Sequence, residues 1–66
     1  MTREEIKKNL MHGDQIRVAR KLGTHKDYVN QVLNDKKRGQ RGKGKLILEE
    51  LQNLAERNIN YFNNNK

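Results

Sequence analysis

The chain has no cysteine and no proline. Without cysteine there is no disulfide framework and no thiolate metal site. Without proline, no segment is broken by a residue that lacks a backbone donor. Apolar residues make up 32% of the 66 positions, and aromatic residues only 5%. That apolar share lies below the globular average. The expectation is one small domain with a marginal core, steadied by dimerisation or by a partner. The longest apolar run, Leu46-Ile47-Leu48, is far too short to cross a membrane. The opening Thr2-Arg3-Glu4-Glu5 leads into a charged amphipathic segment, unlike a signal peptide. A soluble, cytoplasmic protein is expected. His12 and His25 fall on different expected helices with no third ligand beside them, and no nucleophile–base pair stands out. No metal, no cofactor, no small-molecule substrate and no enzymatic activity are therefore expected.

What the chain has in excess is positive charge, in one place. The formal net charge is +7. Residues 1–35 carry a net +2, residues 36–45 carry +6 and residues 46–66 carry −1. A basic stretch this concentrated on a small domain points to a polyanion partner.

β-branched residues do not alternate with polar ones, and the apolar spacing is helical, so an all-α fold of four helices is expected. The first helix, about 2–12, opens with a capping box, Thr2-x-x-Glu5, aligns Ile6 with Leu10, and ends at Gly13. The second, about 14–22, has Asp14 at its positive end and turns Val18, Ala19 and Leu22 inward before Gly23 stops it. The third, about 25–34, follows a second capping box, Thr24-x-x-Asp27, and carries Val29, Val32 and Leu33 on one stripe. A basic connector spans 35–44. The last helix, about 45–60, aligns Ile47, Leu51 and Leu54, flanked by Leu48, Ala55 and Ile59. Residues 1–62 form the domain, and 63–66 are expected to be a disordered tail.

The stretch "QIRVARKLGTHKDYVNQVL", residues 15–33, holds the functional signal. Two short helices meet at Gly23. Close crossing needs a small residue, Ala19; the tight turn needs a glycine four positions later, Gly23; the second helix locks onto the first through Val29 and Val32. With Gln15 leading, Val18 and Leu22 in the core, and the exit Asn34-Asp35-Lys36, the stretch resembles the helix-turn-helix of the phage Cro and repressor family. Thr24 stands where that family usually has a hydrophobic residue, and the connector is longer and more basic. The family usually adds a fifth helix, which the resemblance leaves open here.

The resemblance implies a double-stranded DNA reader, a small repressor-like transcription regulator encoded by a phage or a bacterium. Its recognition helix would enter the major groove with its N-terminal residues at base edges. By position these are His25, Lys26 and Asp27, with Asn30 and Gln31 one turn on. Lys26 suits guanine O6 and N7, Asn30 or Gln31 suits adenine, and Asp27 suits cytosine N4, although capping is expected to claim the Asp27 carboxylate first. Phosphate contacts are expected from Gln15, Thr24 and Asn34 and from the connector residues Lys36, Lys37, Arg38, Arg41, Lys43 and Lys45. Glycines are expected to keep that connector mobile along the phosphates. If four to six cations engage, log K should fall with log salt at a slope of roughly −3.6 to −5.4.

The connector also contains Gly39-x-x-x-x-Gly44-Lys45, close to a P-loop. A P-loop needs Ser or Thr next, where this chain has Leu46, and a preceding strand. A nucleotide site is not expected. Surplus apolar residues Leu48, Ile59, Tyr61 and Phe62 make a homodimer through the last helix the open oligomeric question. Two other readings stay open: a non-specific nucleic-acid binder, RNA included, that works through the basic connector, and a small protein-interaction module.

Overall fold

The structure, a computed structural model, describes residues 1–64. Among them there are four α-helices and no strand: α1 (Arg3–Lys8), α2 (Asp14–Lys21), α3 (Lys26–Asn34) and α4 (Gly42–Asn64). The first three are short, and α4 packs against all of them. At 1.5 Å per residue, the 23 residues of α4 run about 34 Å, close to the 36 Å long axis of the molecule. Ile6, Val18, Ala19, Val29, Val32, Leu33, Ile47, Leu51 and Ala55 form the buried core, and Leu10, Leu22, Leu48 and Leu54 pack at its edge. The apolar stripes read from the sequence are thus the ones that meet.

α1 begins as expected. Thr2 is its N-cap, and its hydroxyl oxygen accepts the Glu5 N–H at 3.1 Å. The end is different. α1 stops at Lys8, not near residue 12, because the Asn9 amide donates to the Glu5 carbonyl at 2.8 Å and closes the helix there. Residues 9–13 form a loop. Gly13 therefore does not end α1; it is the N-cap of α2, at φ +92°.

Asp14 is more than a dipole partner. It is buried, and its Oδ2 accepts the Met11 N–H at 2.8 Å and Asn58 Nδ2 at 3.1 Å. Asn58 also donates to the Asn9 carbonyl at 2.7 Å, so α4 holds both ends of the 9–13 loop. A buried carboxylate is tolerable when hydrogen bonds replace its water, and here two donors do so.

Between α2 and α3, Gly23 is left-handed at φ +66°. The Thr24 N–H reaches the Ala19 carbonyl at 2.8 Å and the Gly23 N–H reaches that of Arg20 at 3.4 Å. This pair of bonds is the Schellman closure of α2, and it places Thr24 in the exit turn of that helix. The expected second capping box does not form: the N-cap of α3 is His25, with no side-chain cap.

The connector is shorter than expected. α4 starts at Gly42, so the segment between α3 and α4 shrinks to 35–41, and Lys43 and Lys45 ride on the first turn of the helix. α4 also continues through Asn63 and Asn64, which corrects the expected tail; the rest of that tail lies outside the described residues. No described helix is long and apolar enough to cross a membrane.

Candidate functional site

α3 buries Val29, Val32 and Leu33 and exposes His25, Lys26, Asp27, Asn30, Gln31 and Asn34. The split follows from the sequence, since the apolar residues recur at helical spacing and the polar ones fill the positions between. Because the Thr24 box is absent, the Asp27 carboxylate is not engaged in capping and stands exposed on this face. Asn34 Nδ2 donates to the Asn30 carbonyl at 2.8 Å and to Asn30 Oδ1 at 3.1 Å. Those bonds hold the Asn30 amide with its NH2 pointing away from Asn34, and they direct the Asn34 donors into the helix.

A cleft of about 560 Å³ opens where the 9–13 loop, α2 and α3 meet. Lys26, Asp27 and Asn30 form its α3 wall, and Gln15 and Ile16 its α2 wall. Lys7, Leu10, Met11, His12 and Gly13 close the third side. Four of the residues expected to touch DNA, Gln15, Lys26, Asp27 and Asn30, therefore share one cleft. His25, Gln31, Thr24 and Asn34 do not line it. Lys7, Met11, His12 and Ile16 do, and sequence reasoning missed them. The missing signal was the break at Asn9: a helix running to residue 12 would have given Met11 and His12 no reason to face α3.

The basic segment begins directly at the other end of α3. Nine residues of helix separate the two regions by about 13 Å. The segment is folded into a hydrogen-bonded turn. Asp35 Oδ1 accepts the Lys37 N–H at 3.0 Å, Asp35 Oδ2 accepts Arg38 Nε at 3.3 Å, and the Arg38 N–H returns to the Asp35 carbonyl at 3.1 Å. The Lys37 amide bond, followed by Arg38, holds the Asp35 carboxyl below its ordinary pKa. Arg3, which the sequence did not single out, donates from Nε to the Val32 carbonyl at 3.3 Å and from a terminal nitrogen to the Lys36 carbonyl at 3.4 Å. The first bond satisfies a carbonyl in the last turn of α3, and the second ties Arg3 to the turn that follows.

Two of the three glycines of this segment, Gly39 and Gly44, sit in close contact with their neighbours. Gly44 is buried against the Arg38 carbonyl, and any Cβ at residue 44 would overlap that oxygen. A Cβ at Gly39 would meet Arg3 and Leu48 at 2.6 and 2.9 Å. Those contacts fix the turn, and they leave the Gly39-to-Lys45 stretch as turn plus helix start with no strand before it among the described residues.

Lys36, Lys37, Arg38, Arg41, Lys43 and Lys45 are all exposed. Among the described residues only Arg38 of the six is in an ion pair, with Asp35. The first turn of α4 contains no acid, so its partial positive charge adds to theirs. No three His, Cys, Asp or Glu side chains come together as a metal-binding group among the described residues.

Of the apolar residues considered for a dimer, Leu48 packs on the core and Ile59 is half-buried. Tyr61 and Phe62 are exposed, with ring centroids 5.8 Å apart edge to face. Leu46 also faces outward, at 53% exposure.

No protein-family model, curated protein or solved structure matches the chain.

Proposed function

We propose that the protein is a sequence-specific binder of double-stranded DNA, a small repressor-like regulator. In this reading α2 and α3 form a helix-turn-helix, and α3 lies in the major groove. The carrying observation is the exposed face of α3 with its adjoining cleft. Lys26, Asp27, Asn30 and Gln31 offer a cation, an anion and two amides on a helix anchored from behind by Val29, Val32 and Leu33. These are the donor and acceptor types that distinguish base pairs in the major groove. Gln15 at the start of α2 and the cations of 36–45 hold phosphates on either side. Tyr61 and Phe62 are the surface a homodimer would use.

One observation favours a second reading. The six exposed cations of 36–45 would bind any polyanion without help from α3. Selection of bound duplexes from a random DNA pool at near-physiological salt separates the two. Sequence-specific reading predicts an enriched site; a dimer predicts a two-fold-symmetric one with half-sites about 10 base pairs apart. Binding without enrichment would overturn the reading and leave the basic segment as the whole interface. No binding would point to a protein partner.

A further inference from the structure

The cleft beside α3 contains a feature that charge and hydrogen bonding do not use. Ile16 and Met11 are large apolar side chains left 38% and 42% exposed. Both line the same cleft as Lys26, Asp27 and Asn30. A lone exposed apolar residue needs no explanation. Two of them in the cleft that holds the groups proposed to read bases are a different matter, because they add apolar surface to a lining that is otherwise largely polar.

Major-groove edges are polar at nearly every position. The apolar exception is the C5-methyl group of thymine. Ile16 and Met11 cannot discriminate donors from acceptors, but such side chains can shield a methyl from water. Lys26 and Lys7 at the rim carry the charge that would draw a polyanion into the cleft. We infer that Ile16, with Met11 lining the same cleft, is a specificity-determining residue that packs on the C5-methyl group of a thymine next to the bases read by Lys26 and Asn30. This rests on the DNA-reading proposal above and adds to it a base type and a residue outside α3.

The test uses the full-length protein and the site enriched from the random pool. Each thymine of that site is replaced singly by uracil, which removes only the methyl group. The same duplexes are titrated with wild type, Ile16→Ala and Ile16→Val. Wild type should lose about fourfold in affinity at one thymine, the equivalent of one buried methyl-sized group. Ile16→Ala should lose affinity for the thymine site and show no further loss with uracil; Ile16→Val should keep most of the discrimination. Ile16 is at the surface, so these variants should fold, and a circular dichroism spectrum checks it. If the site is enriched but no uracil replacement matters, or the loss is equal in wild type and Ile16→Ala, the inference fails and the DNA-reading proposal stands. If no site is enriched, both fall.

Discussion

The two ends of α3 differ in chemical variety. At its N-terminal end, one cleft gathers two lysines, an aspartate, two amides, a histidine and three apolar side chains. At its C-terminal end, the 36–45 segment presents six cations and no acid. Mixed chemistry can tell one base pair from another, whereas repeated charge can only be attracted, and equally by every phosphate. Under the proposed DNA-reading role, specificity would lie at one end of α3 and affinity at the other, within a chain of 66 residues. The comparison also shows that both ends are built. The cleft is held by the Asp14–Asn58 bonds and the basic turn by Asp35, Arg3 and the glycine contacts.

The comparison breaks most visibly at the charged end. Neutralising Lys36, Lys37 and Arg38 together to Gln should weaken binding about a hundredfold at 0.15 M salt, roughly 3 kcal/mol, if each holds one phosphate. The slope of log K against log salt should flatten by about 2.7. Anisotropy titrations at several salt concentrations measure both.

Next in size is Gly44→Ala. Its Cβ would collide with the Arg38 carbonyl, backbone that cannot rotate away. The cost should be about 2 kcal/mol of stability, read by urea unfolding. A mobile arm would instead gain slightly from the substitution, so an unchanged or raised midpoint would refute the folded turn.

Asn58→Ala sharpens the other side. It removes one of the two donors to the buried Asp14 carboxylate and the bond to the Asn9 carbonyl, for about 1–2 kcal/mol. Amide exchange should quicken in residues 9–13 before it does so in α3. Equal protection in both would mean that Asn58 does not hold the loop.

The smallest effect concerns acid. The Asp35 pKa is lowered in the folded chain, so its contribution is present above the ordinary carboxylate range and is lost as pH falls through the lowered value. Asp35→Asn should therefore destabilise slightly at neutral pH, with the difference from wild type closing in strong acid. A gap that widens in acid would contradict the assignment.

Much of this was legible in the sequence. The stripes Ile6, Val18-Ala19, Val29-Val32-Leu33 and Ile47-Leu51 follow helical spacing, and burial honours spacing because a small domain has nowhere else to put its apolar groups. Gly23 was legible for the same kind of reason, since only a left-handed residue turns the chain so sharply. What stayed hidden depended on partners distant in the chain. Asn9 ends α1 by a local bond that its amide could equally have left unmade, and nothing near it announces that Asn58 will take its carbonyl and hold the 9–13 loop with Met11 and His12 at the cleft. Thr24-x-x-Asp27 fits a capping box by pattern, but the Schellman closure of α2 claims Thr24 first. The glycines of 39–44 suggest motion by composition, and only the packed neighbours of Gly39 and Gly44 show that these two permit contact. The one such feature that charge alone foretells is the basic cluster itself, because the cost of removing charge from water keeps six cations at the surface whatever the fold.

The central claim is the division of labour along α3. Its most direct test is the ratio of affinities for the enriched site and a scrambled duplex, measured at one salt concentration for two variants. Lys26→Ala should lower that ratio by about 1–3 kcal/mol and leave scrambled binding little changed. The Lys36, Lys37 and Arg38 triple substitution should weaken both duplexes alike and preserve the ratio. If the triple variant loses the ratio, or Lys26→Ala keeps it, the two ends of α3 do not divide reading from gripping.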